Sequence, residues 1–190
     1  MDFNPHLRDP KDFEPPYPIT RSWIGDVTHR LVSILTAPSY IRGVDASHWN
    51  TINFEALKAS GIDFVILKAT EGNYFIDPKF DESWRLSLDN NLAVMIYHFF
   101  RGDVVGGNQS NYCIDNSQEF LTAVNNKTVI FADVETEDGV DVQTRRGRLK
   151  RFCNRTLERG IQVGNYSSPY LWSSLIGDVS WANNYWQWLA

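Results

Sequence analysis

Two carboxylates two residues apart close an apolar run: VIFADVE, residues 129–135, ends in Asp133-Val134-Glu135. On a strand, residues i and i+2 face one side with roughly 6.5–7 Å between their Cα atoms, so the two acids project together. Neighbouring carboxylates repel when both ionise, which raises the pKa of one and lets it act as an acid near neutral pH. An isolated pair of this kind also occurs as a metal-binding or salt-bridged loop. Asp45, in GVDASHW, adds a third carboxylate at the end of a first strand. Three converging acids favour chemistry, because unpaired buried negative charge does nothing for stability. Lys68 and Glu71 in LKATEG form either a simple ion pair or part of the wall of a site. His98 in IYHFF lies in an apolar strand, where a hydrogen-bonded core histidine is the commoner arrangement; Tyr97 and His98 face opposite ways, so only one can look into a barrel. Arg101-Gly102-Asp103 matches an integrin-binding tripeptide, a match that three residues make by chance. Nothing resembles a Ser/His/Asp or Cys/His nucleophile arrangement. Cys113 and Cys153 lack the paired spacing of a zinc site, so no metal or other cofactor is expected, and a single disulfide between them stays open.

The elements that must carry these residues read as strand and helix in alternation after Tyr40. Strands are predicted at Gly43 to Ser47, Asp63 to Thr70, Ala93 to Phe100, Val129 to Val134, Gln162 to Tyr166 and Tyr185 to Ala190. FVILKA, AVMIYHFF and VIFADV are apolar nearly throughout, as in strands covered on both faces of a parallel sheet. Between them, a helix from Asn53 to Ser60 ends at Gly61; Asp77 is the predicted N-cap of a second, with Pro78 in its first turn. Leu149, Phe152, Cys153 and Leu157 form one face of a third helix, which stops at Gly160. The Gly106-Gly107 pair reads as a loop that opens no helix, which argues against a nucleotide site. The fold class is therefore α/β, and of the two architectures that share this pattern, an open doubly wound sheet and a barrel of the (β/α)8 TIM type or a close relative, the polar residues favour the barrel. Its defining sign is that Asp45, Lys68, Glu71, His98, Asp133, Glu135 and Tyr166 all fall at or just past carboxyl ends of strands, which share one side of a parallel sheet. Residues 1–40 form a separate arm: prolines 10, 15, 16 and 18 exclude a helix near its start, and Trp23 to Leu35 has the spacing of a short amphipathic helix. Residues 41–190 form the main domain.

Composition narrows the partner. The 190 residues carry 18 Lys plus Arg against 23 Asp plus Glu, a net charge of −5, which argues against a nucleic-acid binder. No apolar run is long enough to span a membrane. Aromatic residues make up 14% of the chain, including seven Trp, and flat rings suit the faces of sugars as well as a core. The opening MDFNPHLRDPKDFEPPYP is acidic and proline-rich where a signal peptide has a basic start and an apolar stretch, so export by the ordinary signal route finds no support and localisation is left open.

GVDASHWN, GIDFVILKATEGNYFID, MIYHFFR, VIFADVET and VGNYSSPY, in that order and at these intervals, resemble glycoside hydrolase family 25, the lysozymes or muramidases often found in phage endolysins and bacterial autolysins. The resemblance covers about residues 41 to 190. It implies an irregular (β/α) barrel of TIM type that hydrolyses the β-1,4 bond between N-acetylmuramic acid and N-acetylglucosamine in the glycan strands of peptidoglycan, as a monomer acting on the extracellular wall without a cofactor. Carried over by motif, Glu135 is the general acid, Asp133 stabilises charge or positions the substrate's acetamido group, and Asp45 is a supporting carboxylate. Lys68, Glu71, His98 and Tyr166 are expected in the binding cleft. With Glu135 protonated and Asp133 ionised, activity is expected to follow a bell with an acidic optimum. Six strands are visible where such a barrel has about eight, and a late aspartate of the family lies beyond Ala190, so an incomplete and less stable barrel is expected. The alternative reading is a non-catalytic glycan-binding barrel with a degenerate acidic cleft.

Overall fold

Every strand expected from the apolar runs is present in a computed structural model, which describes residues 41–189. They are β1 (Gly43–Ala46), β2 (Phe64–Glu71), β4 (Ala93–Phe99), β5 (Val129–Asp133), β6 (Gln162–Ser167) and β7 (Trp186–Leu189), paired in parallel in the order β1-β2-β4-β5-β6-β7. A two-residue strand, β3 (Phe75–Ile76), folds back antiparallel on the end of β2 and was not expected. Among the described residues β7 does not return to β1, so the sheet is a curled part-barrel with one concave face. The expected helix from Trp23 to Leu35 and the arm that carries it lie outside the described residues.

Helices cover the convex face, and their ends follow local chemistry. Asn53 caps α1 (Phe54–Ala59) by accepting from the Ala56 N–H at 2.9 Å. Asp141 caps α5 (Val142–Glu158) and Ser168 caps α6 (Pro169–Leu175) in the same manner. Asp77, the expected cap of α2 (Phe80–Asp89), does not cap it; Lys79 holds that position. Asp77 is buried and instead accepts from the backbone N–H of His48 and Lys79, both at 2.9 Å, and pairs with His48 Nδ1 at 2.8 Å. It joins the end of β1 to the start of α2, a tertiary role that outcompetes the local one.

Gly106 and Gly107 do open a helix, α3 (Gly106–Asp115), which α4 (Gln118–Ala123) follows. The reason is packing. A Cβ on Gly106 would sit 1.8 Å from the Arg148 carbonyl oxygen of α5, so only glycine lets α3 and α5 approach this closely. Cys113 and Cys153, one on each of these helices, are buried free thiols.

Two apolar clusters flank the sheet. Leu67, Val94, Ile96, Ile130, Ala132 and Val134 meet Phe120, Leu149 and Phe152 under the helices. At about 1.5–3 kcal/mol per large side chain buried, this convex cluster supplies most of the driving force. On the concave face Ile66, Met95, Val129 and Phe131 are buried beneath the partly exposed rings of Phe64, Tyr97, Trp186 and Trp188. Gly164 makes room there, since a Cβ would meet the Phe131 ring at 2.5 Å. Among the described residues no helix is long and apolar enough to cross a membrane.

Candidate functional site

The backbone between the two central carboxylates is held rigidly. Val134 donates its N–H to the Tyr166 carbonyl at 2.9 Å and accepts from Ser167 Oγ at 2.8 Å, so β6 fixes it from one side. Its side chain enters the convex core. Alternation then sends Asp133 and Glu135 to the concave face, on which Asp133 is in register with Phe99 on β4 and Tyr166 on β6.

Burial separates the two acids. Asp133 is buried, and burial together with the charge of Glu135 pushes its carboxyl up to about 8. Its Oδ1 is buried without a hydrogen-bond partner among the described residues. Glu135 is half-buried and is raised by burial and by Asp45. Asp45 is exposed at the end of β1 and acts on both acids and on Tyr166 and Tyr97, so the three carboxylates share one field. Both central carboxyls are thus held toward their protonated forms, and Asp133, the deeper of the two, is the more strongly desolvated.

Lys68 and Glu71 form an ion pair, with Lys68 Nζ 2.7 Å from Glu71 Oε2. Residues three apart on a strand normally face opposite sides. Here the register slips between Lys68 and Thr70, a bulge that brings Glu71 round to the side of Lys68. The Lys68 ammonium lies 4.8 Å from the centre of the Phe99 ring and opposes the upward push on Asp133. Tyr166 reaches the mouth and packs on Trp188 at 4.1 Å between ring centres. Trp188 also meets Phe131 at 5.6 Å and Tyr97 at 6.5 Å, making an aromatic floor beneath the acids.

His98 does not join them. It is buried on the convex side, with Nδ1 2.8 Å from Thr70 Oγ1, Nε2 3.0 Å from Gln109 Oε1 and its ring stacked on Phe152. Burial pushes it down to about 4, so it is a neutral core residue. The inward-facing member of the Tyr97/His98 pair is Tyr97, which is in register with Phe131. Tyr97, Phe99, Arg101, Asp138 and Trp188 were missed in the sequence. The first two become readable only once β4 is set in register with β5, which pairs Tyr97 with Phe131 and Phe99 with Asp133. Among the described residues no cluster of His, Cys, Asp and Glu is arranged to hold a metal ion.

Fold and site together define a parallel (β/α)-barrel type of protein with an acidic, aromatic-floored mouth at the carboxyl ends of its strands. The chain belongs to the glycosyl hydrolases family 25, whose sequence profile matches residues 44–190. It is similar to lysozyme M1 of Streptomyces globisporus, with 32% identity over 80 residues, 41% of this chain and 27% of that protein. The bacterial lysozyme of Streptomyces coelicolor matches in structure with a TM-score of 0.70 and 25% identity, over 80% of this chain and 75% of the other. A more distant fold match is the modular Cpl-1 endolysin, solved with a peptidoglycan analogue: TM-score 0.59, 18% identity, 77% of this chain and 42% of the other. The chain spans less than half the length of the first curated relatives it matches.

Proposed function

We propose that the chain is a lysozyme that hydrolyses the β-1,4 bond between N-acetylmuramic acid and N-acetylglucosamine in peptidoglycan. The observation that carries this reading is the pair of carboxylates at the end of β5, forced by the rigid Val134 backbone onto one face, with Asp133 buried and pushed up to about 8 by burial and by Glu135. Membership of the family and the resemblance to lysozymes support it.

Glycoside hydrolysis needs a protonated carboxyl for the leaving oxygen and negative charge near the oxocarbenium-like centre. Glu135, nearer the solvent, is the acid. An acetamido N–H donated to Asp133 favours its ionised form and leaves the pair's proton on Glu135, where the reaction requires it. Asp45 keeps Glu135 raised, the Lys68–Glu71 pair shapes one wall, and Tyr166 with the aromatic floor offers apolar surface to pyranose faces.

Loss of turbidity of a bacterial wall suspension, with mass analysis of released fragments, tests the activity. Glu135→Gln is expected to lower turnover about 10²- to 10⁴-fold while glycan binding persists. Wild-type turnover in that variant refutes the assignment, and wall binding without fragments in the unaltered chain points to a glycan-binding module instead.

A further inference from the structure

Asp138 lies three residues after Glu135, in the loop between β5 and α5. Its φ of +52° places it in the left-handed region that residues other than glycine seldom occupy, and Gly139 follows at +65°. Its side chain is only 2% exposed, although a carboxylate in a rim loop is ordinarily solvated. Three donors hold it. Arg101 Nη2 reaches Oδ1 at 2.8 Å, while the Gly102 N–H at 2.6 Å and Thr136 Oγ1 at 2.8 Å reach Oδ2. Two of these come from the loop after β4, and the third is the residue next to Glu135.

The same arginine faces the cleft. Arg101 Nη1 is 3.7 Å from Glu71 Oε1, and the guanidinium lies 5.9 Å from the Phe99 ring centre. From behind, Arg148 Nη1 donates to the Gly102 carbonyl at 2.6 Å, and buried Arg145 donates to the carbonyls of Glu137 and Val140. Both loops are thus pinned to α5 and to each other. Glu135 is raised by burial and by Asp45, and the network reaches it through the backbone of its neighbour Thr136.

We propose that Arg101 and Asp138 form a latch that positions Glu135 over the scissile bond, which gives the first residue of the RGD tripeptide its role. The inference rests on Glu135 being the general acid. Both are positioning residues: Asp138 is buried behind the loop, and it acts on Glu135 through Thr136.

The test compares two substrates. A peptidoglycan glycan fragment has a sugar leaving group that needs protonation, whereas a 2,4-dinitrophenyl chitooligosaccharide has a leaving group that departs without it. Asp138→Asn and Arg101→Ala are expected to lower kcat on the glycan by about 10- to 100-fold with KM nearly unchanged, and to cost less than about threefold on the aryl glycoside. Arg101→Lys, which keeps the charge but not the fork, is expected to recover part of the loss. Thr136→Val removes one hydroxyl and leaves the ion pair intact. It carries the same test, with a smaller loss, if an Asp138 variant does not fold. Equal losses on both substrates, or a change confined to KM, overturn the latch. Glu135→Gln is run beside them. If it too loses equally on both substrates the acid assignment itself fails, whereas leaving-group dependence in Glu135→Gln alone rejects only the latch.

Discussion

His98 and Asp133 are both buried ionisable residues on adjacent strands, one position out of phase, and they face opposite sides of the same sheet. On the convex side both ring nitrogens of His98 have partners, and burial pushes the ring down to about 4, where it is neutral and inert. On the concave side Asp133 keeps an oxygen without a partner and is pushed up to about 8, inside the range where protons are exchanged. A buried polar group that is fully paired contributes to structure. One left unpaired beside like charge costs stability, and the fold retains it on the face where a ligand can complete its bonding.

Replacing the concave member gives the largest effect. Asp133→Asn is expected to lower wall-lytic turnover by about 10²-fold or more, measured as turbidity loss per folded molecule. It also sharpens the contrast through pH. Below about pH 4 the Asp133 carboxyl is protonated whether or not the chain is folded, so it leaves stability unchanged. Between about pH 4 and 8 the unfolded chain has released this proton and the folded chain has not, so stability falls as pH rises toward the folded pKa of about 8. The Asn variant escapes this loss. Its melting temperature relative to the unaltered chain is expected to climb from pH 4 to 8, a differential on the order of a few kcal/mol.

His98→Ala inverts the pattern. Leaving Thr70 and Gln109 unpaired beside a cavity is expected to cost about 2–4 kcal/mol in urea unfolding with kcat intact at permissive temperature. A His98 variant that is stable but slow would break the contrast.

Gly106→Ala probes the convex side through helix packing, without altering an ionisable side chain. The 1.8 Å approach of its Cβ to the Arg148 carbonyl is expected to push α3 from α5 at about 1–3 kcal/mol, read by thermal unfolding. Tyr166→Phe, last in size, removes a hydroxyl at the mouth. A rise of a few-fold in KM with kcat little changed is expected, as for the loss of one hydrogen bond of about 1 kcal/mol.

How far these features were legible in the sequence depended on whether the signal was local. Apolar runs gave each parallel strand within a few residues, and the Asp133-Val134-Glu135 spacing carried its own geometry. The side of β4 that faces the cleft was not legible, because AVMIYHFF is apolar on both faces and only its pairing with β5 assigns Tyr97 inward and His98 outward. Asp77 misled for a related reason: its local pattern is that of a helix cap, and a partner 29 residues away claimed it. Gly106-Gly107 has the local pattern of a loop because glycine disfavours helix by itself, whereas contact with a neighbouring helix requires it. Arg101 and Asp138 are remote in sequence and meet only through two loops.

The bulge in β2 makes the tip of that strand a counting device. Up to Lys68 the strand keeps the parity of its neighbours; beyond it the chain is one residue ahead, and only because of that offset do a carboxylate and an ammonium three positions apart share a wall. Were Ala69 paired in regular alternation instead of bulged out, the destinations of Thr70 and Glu71 would be exchanged. A hydroxyl would then face the cleft, and a carboxylate would be driven toward His98 in the dry layer under the helices. One extra residue in an otherwise unremarkable strand thus separates a cleft with a charged wall from a core that could not tolerate the same charge.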